Sequence, residues 1–213
     1  MSYFSHHFVS KSNLVQLKRQ LDPNSYEPEN LEKIFELGTL IDVTLLEPHL
    51  ANVGSDDYEL AKTMAQAIFK DRFLRDLIMM PDFKRKHEFY KTDLFGLPAR
   101  CQTDGVSKSI STIFEYKGLG ITTDKQFDEA IYNFDYDLGA AWYLDTSKLK
   151  YIIIGAASKK QPDKVFKRLV DRDHKIYQRG ILKADLMTRA WKDFFGDQAR
   201  GVNAEETFLI ETI

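Results

Sequence analysis

Apolar residues follow helical spacing through roughly the first 80 residues, and then the period changes to that of strands. Asn13 to Leu21 is a short amphipathic stretch ended by Asp22-Pro23-Asn24. Pro28 to Glu47 places Leu31, Ile34, Phe35, Leu37, Leu40, Ile41 and Leu45 close to helical spacing and stops before Pro48. Asp56 to Lys70 predicts a third helix, and a short fourth ends near Pro81. Glu88 to Leu94, Ala99 to Thr103 and Ile110 to Tyr116 then read as successive strands, with turn signals at Gly96-Leu97-Pro98 and Asp104-Gly105. An aromatic-rich helix over Gln126 to Leu144, a buried strand over Lys150 to Ala156, a neighbouring strand over Val165 to Val170 and a long helix over Asp173 to Phe195 complete the order. Helices, an antiparallel meander, then helix, strand, strand and helix specify one α/β domain, its mixed central β-sheet flanked by helices. Its helical N-terminal part covers 1–80 and its sheet-containing core 88–195.

At 213 residues the chain suits one large domain, and its 43% hydrophobic fraction is enough for a packed core. Cys101 is the single cysteine, which excludes a disulfide framework, a thiolate zinc site and a cysteine-ligated iron–sulfur cluster. No signal-length apolar run opens the sequence and no membrane-length stretch occurs, so the expected setting is soluble and cytoplasmic, without membrane attachment. Net charge is only −2, but Ser158 to Lys192 holds eleven Lys/Arg against four Asp/Glu, while Glu205, Glu206 and Glu211 make the end acidic. Within the basic stretch, Lys159, Lys160, Lys164, Lys167 and Arg168 are candidates for gripping a phosphate backbone, alongside Arg172, Lys175 and Arg179. The same residues also suit a solvated face. His6 and His7 lack a third ligand by spacing, and the run Lys84 to His87 reads as an exposed helix end.

The chemistry-bearing constellation is Asp104, Glu115 and Lys117. Residues i and i+2 of a strand share a face about 6.6 Å apart, so Glu115 and Lys117 project together while Phe114 and Tyr116 point away. If the two strands pair, Asp104 comes close to Glu115. Hard Mg²⁺ or Mn²⁺ prefers oxygen ligands, which Asp104, Glu115 and the backbone carbonyl of Tyr116 can supply. Lys117 would then hold the attacking water or stabilise charge on a phosphate. Pro81-Asp82-Phe83-Lys84 spells a similar pattern but has no strand pair ahead of it. Asp104-Gly105 is also an ordinary turn signal, and Glu115 and Lys117 also suit the wet face of a strand, so the residue pattern leaves both readings open.

The segments Gly96 to Arg100, Thr103 to Val106, Ile113 to Lys117 and Tyr136 to Asp145 together resemble the core of the exodeoxyribonuclease VIII-like family, within the PD-(D/E)XK nuclease superfamily. Ser10-Lys11-Ser12-Asn13-Leu14 resembles the family's opening Ser-x-Ser-x-Leu, and Gly38 to Pro48 resembles its Gly-x-x-x-His-x-x-Leu-Leu-x-Pro helix. The likeness spans roughly residues 10 to 145 in the correct order. It implies a restriction-endonuclease-like core and Mg²⁺- or Mn²⁺-dependent, processive 5′-to-3′ digestion of double-stranded DNA. It further implies a ring-shaped homo-oligomer, a single-strand annealing protein as partner and a phage or prophage recombination setting, in the host cytoplasm. Tyr136 and Tyr143 would flank the site by the same resemblance. Two positions depart from it. Asp42 stands where the family has a metal-associated His, and by the resemblance is an additional acidic metal ligand; Gly139 stands where the family has Gln. Asp137 would point about 200° from Gly139 around the helix. An endonuclease of the same superfamily, or a non-catalytic relative that binds DNA or protein, are the rival expectations.

Overall fold

The computed structural model describes residues 8–22 and 31–195. His6, His7, Pro23, Asn24, Pro28, Glu205, Glu206 and Glu211 lie outside the described residues, as do the side chains of Leu31, Ile34 and Phe35.

Helix α1 (Lys11–Leu21) starts where Ser10 and Asn13 exchange side-chain-to-backbone bonds, a capping box that satisfies two free helix-start amides. Its Leu14 and Leu17 are buried. Helices α2 (Leu31–Leu46), α3 (Tyr58–Lys70) and α4 (Arg72–Ile78) follow, α4 capped by Asp71, whose carboxylate accepts from the Leu74 amide at 3.0 Å. Strands β1 (Lys84–Leu94), β2 (Leu97–Ser107) and β3 (Thr112–Leu119) form an antiparallel meander. Helices α5 (Asp124–Asn133) and α6 (Tyr136–Ser147) cross to β4 (Tyr151–Ser158), which runs parallel to β3; β5 (Val165–Val170) pairs antiparallel to β4, and α7 (Lys175–Phe195) closes the chain. The sheet order is β1-β2-β3-β4-β5, mixed, as the element order predicts.

Each face of the sheet is covered. Phe114, Tyr116, Ile153 and Ala157 pack under α2, α3 and α4, against Ile41, Met64 and Leu74. Ile113, Ile152, Ile154 and Ala156 pack under α5, α6 and α7, against Phe127, Ile131, Ala141 and Ile176. A third cluster joins α1 and the end of α7 to the β1–β2 hairpin around Trp142, whose Nε1 donates to the Arg100 carbonyl at 2.9 Å. Val9 bridges to this hairpin through the Pro98 carbonyl and the Arg100 amide, which places the start of α1 beside the sheet.

Beyond shifts of a residue or two, four boundaries differ from the sequence expectation. Asp104-Gly105 is not a turn: β2 continues to Ser107, and Gly105 is needed there because a Cβ would overlap the Phe83 ring. The turn lies instead at Lys108–Ser111, which leaves Ile110 outside β3. Asp82, from the decoy Pro81-Asp82-Phe83-Lys84, pins that turn by accepting from Ser107 Oγ (2.8 Å), Ser109 N (2.8 Å) and Ser109 Oγ (2.9 Å). These bonds hold its carboxyl down at about 2. The Gln126–Leu144 helix is two helices, broken at Asp135, which adopts φ +55°. Lys84 to His87 opens β1 rather than ending a helix. Among the described residues no helix is long and apolar enough to cross a membrane.

Candidate active site

The β2–β3 ladder pairs Ser107 with Thr112, Val106 with Ile113 and Gly105 with Phe114, and there it stops. One step further in the same register, Asp104 faces Glu115. At this fork the side chains take over the work of the ladder. The Asp104 carboxylate accepts from the Tyr116 amide at 2.7 Å, and the Glu115 carboxylate accepts from the Asp104 amide at 3.2 Å. Within antiparallel pairs a residue's N–H and C=O face the same neighbour, so the Tyr116 carbonyl lies on the same edge as the amide bound to Asp104. Lys117 completes the group: its Nζ lies 3.3 Å from Asp104 Oδ2 and 3.2 Å from Glu115 Oε2. The period-2 rule accounts for this, since Glu115 and Lys117 share a face while Phe114 and Tyr116 enter the opposite core.

The electrostatics are those of two carboxylates with one cation between them. Burial (Glu115 is 7% exposed) and the charge of Asp104 push the Glu115 carboxyl up to about 7, although Lys117 opposes the shift. Burial pulls the Lys117 ammonium down, but Asp104 and Glu115 outweigh it and hold the group above its usual range. Glu115 is buried and Asp104 partly exposed, and with the Tyr116 carbonyl they are the oxygen donors that could hold a divalent cation. Among the described residues no cluster of three acidic, His or Cys side chains is arranged as a metal cage.

The fork opens into a cleft of about 940 Å³ lined by α1, α2, β3 and α6. Asp42, Tyr136 and Tyr143 all line it, as does Lys159. Asp42 is close enough for Asp104 to raise its pKa, after burial as the larger cause. Its Oδ2, however, accepts from Arg85 at 3.1 Å with Lys86 Nζ 3.8 Å away, and Arg85 also binds Glu47 at 2.5 Å. Burial raises the Tyr136 phenol, with Lys117 lowering and Glu115 raising it further. The basic stretch divides. Lys159 faces the cleft; Lys167 is paired with Asp71, and Arg168 with Asp128 (2.9 Å) and Asp124 (3.0 Å). Arg172 likewise holds Asp145 and the carbonyls of Leu144 and Leu149. Asp137 is fully buried on Lys183, away from Gly139. Trp191 is core, but Phe194 is 56% exposed. Lys11 is a cleft residue that sequence reasoning did not single out; it lies inside the Ser10–Leu14 segment, and only the packing of α1 on α6 brings it to the site.

The same architecture occurs in the "Putative exonuclease" from Eubacterium rectale, which aligns with a TM-score of 0.63 at 14% identity over 87% of this chain and 80% of that one. The phage related exonuclease from Haemophilus somnus 129PT aligns at 13% identity with a TM-score of 0.47, over 90% of this chain and 96% of its own. No protein-family model and no curated protein matches the chain. Fold and site together define an α/β protein with a five-stranded mixed sheet, whose forked β2–β3 edge presents two acids and a lysine to an open cleft.

Proposed function

We propose that this protein is a divalent-metal-dependent deoxyribonuclease of the PD-(D/E)XK type, acting as a 5′-to-3′ exonuclease on double-stranded DNA. The observation that carries the reading is the convergence of Asp104, Glu115 and Lys117 at the fork of β2 and β3. The fold shared with the protein described as a "Putative exonuclease" agrees with it. Asp104 and Glu115, with the Tyr116 carbonyl, would hold Mg²⁺ or Mn²⁺. When bound, such an ion supplies Lewis-acid polarisation of the phosphate and an acidified water. The chain's own contribution is orientation and charge. Lys117, kept cationic by its two carboxylates, donates hydrogen bonds to phosphate oxygens as negative charge grows on them. Its raised pKa makes it a donor here and not the base that removes a proton from water. Tyr136 and Tyr143 wall the cleft and limit where the strand lies. The reading extends to a homo-oligomer, an annealing-protein partner and a recombination role in a phage setting.

The test is digestion of linear and closed-circular duplex DNA with Mg²⁺ or Mn²⁺, using label at either end. Wild type should consume the linear substrate from its 5′ end and spare the circle. Lys117→Ala should be slower by about 10²–10³-fold with its fold intact. Cutting of the circle would move the protein to an endonuclease. The hold of Arg85 on Asp42 favours one other reading, a relative that binds DNA without cutting it. Binding with no cleavage under any metal condition would establish that reading instead.

A further inference from the structure

Lys11 lines the cleft and is not used by the mechanism above. Lys11 stands at the first turn of α1, and its side chain runs along the surface of α6 at Gly139. A Cβ at Gly139 would meet only Lys11 Cε, at 3.8 Å, so the missing side chain leaves the groove that the lysine stem fills. The Lys11 ammonium lies 5.8 Å from the centre of the Tyr136 ring, inside the cleft that also holds Asp104, Glu115 and Lys117. Among the described residues it has no hydrogen-bond or ion-pair partner. This contrasts with Lys18 on the same helix, which is locked to Asp135 at 2.7 Å. Lys86 in the cleft lies 3.8 Å from Asp42, and Lys167, Arg168, Arg172 and Lys183 elsewhere each hold an acid; Lys159 also lines the cleft.

We propose that Lys11 is a second substrate-binding cation of this site, contacting a phosphate of the DNA strand from the wall that Gly139 leaves open. The proposal rests on the nuclease reading and adds a residue to it. An unpaired ammonium facing a cleft is favourable only when an anion enters. Burial and the nearby charge of Lys117 lower its pKa to about 8, against the pull of Asp135 and Glu115, so the free site bears the cost of that charge. A phosphate diester, anionic at every working pH, offsets the cost. The position also suits one strand held between two lysines, Lys117 from the sheet and Lys11 from α1. Lys11 differs from a rim lysine in one measurable respect: its contact is made inside the cleft, where substrate must pass.

The test is binding of a fluorescein-labelled duplex oligodeoxynucleotide, followed by anisotropy in EDTA across a range of NaCl concentrations, for wild type, Lys11→Met and Lys11→Arg. Met keeps the aliphatic stem against Gly139 and Tyr136 while removing the charge, so the thermal midpoint should not move. Lys11→Met is expected to bind about 3–10-fold more weakly at low salt, and the slope of log affinity against log salt should fall by about 0.9, one phosphate contact. Lys11→Arg should retain the slope. Under cleavage conditions the loss should fall on KM more than on kcat. An unchanged slope and affinity in Lys11→Met, or weaker binding with an unchanged slope, would overturn the proposal while leaving a cutting wild type intact. A wild type that neither binds nor cuts DNA would overturn the nuclease reading and this proposal with it.

Discussion

Glu115 sits opposite Asp104 in the strand register, buried, with Lys117 as their shared cation. Burial and the charge of Asp104 push its carboxyl up to about 7 in the folded protein, from an ordinary value of 4.5. The folded state therefore holds a proton that the unfolded chain releases at lower pH. Without metal, stability must fall as pH rises from about 4.5 to about 7, and the full penalty, on the order of 3 kcal/mol, applies above that range. Glu115→Gln removes the titration. Urea denaturation in EDTA at pH 5 and pH 8 should show the Gln variant gaining on wild type as pH rises; a difference independent of pH would refute the assignment. Cys101 illustrates the opposite case, a group with no chemistry. It is buried in β2, and burial with the Glu115 charge pushes its thiol up and out of the reactive range.

The break between α5 and α6 is made by an element-level network rather than by a glycine or proline. Asp135 adopts φ +55°, a left-handed conformation that aspartate tolerates better than most residues. Its carboxylate accepts from Lys18 of α1 at 2.7 Å and Lys183 of α7 at 2.9 Å, so three helices meet on one side chain. Lys183 reaches on to Asp137 at 2.8 Å, and Gly180 lets α7 approach the Asp137 backbone. This knot sets the position of α1, and so of Lys11, over the cleft. Asp135→Asn keeps the backbone preference but loses charge-assisted bonds, and should cost about 1–3 kcal/mol. Asp135→Ala should cost about 1–2 kcal/mol more because of the left-handed backbone. Equal losses in the two variants, read from urea midpoints, would show that backbone conformation plays no part.

At the scale of the whole molecule, the sheet joins the helical halves, and the site lies where both meet the β2–β3 fork. A divalent cation bound there stabilises the folded state alone, so Mg²⁺ or Mn²⁺ should raise the thermal midpoint. At 100 times its dissociation constant the gain is about 2.7 kcal/mol. Asp104→Asn should abolish the gain. Binding should also tighten as pH rises through 7, because Glu115 must release its proton to ligate. Calorimetric titration showing equal affinity in wild type and Asp104→Asn would remove the metal site from this fork.

Hydrophobic period determined the element order, the mixed sheet and the face that Glu115 shares with Lys117, because strand alternation is local geometry that any fold must obey. The acid–acid–lysine triad was legible for the same reason, once β2 and β3 pair. Tertiary structure alone decided the remainder. Gly105 reads locally as a turn, yet it serves the approach of Phe83. Nothing near Phe134 and Asp135 announces a break, because lysines distant in sequence hold it. Asp42 does reach the cleft, but Arg85 takes its carboxylate, and Lys11 enters only because α1 packs over Gly139. Each of these depends on charges and atoms brought together across many residues of chain, and local pattern carries no record of such meetings.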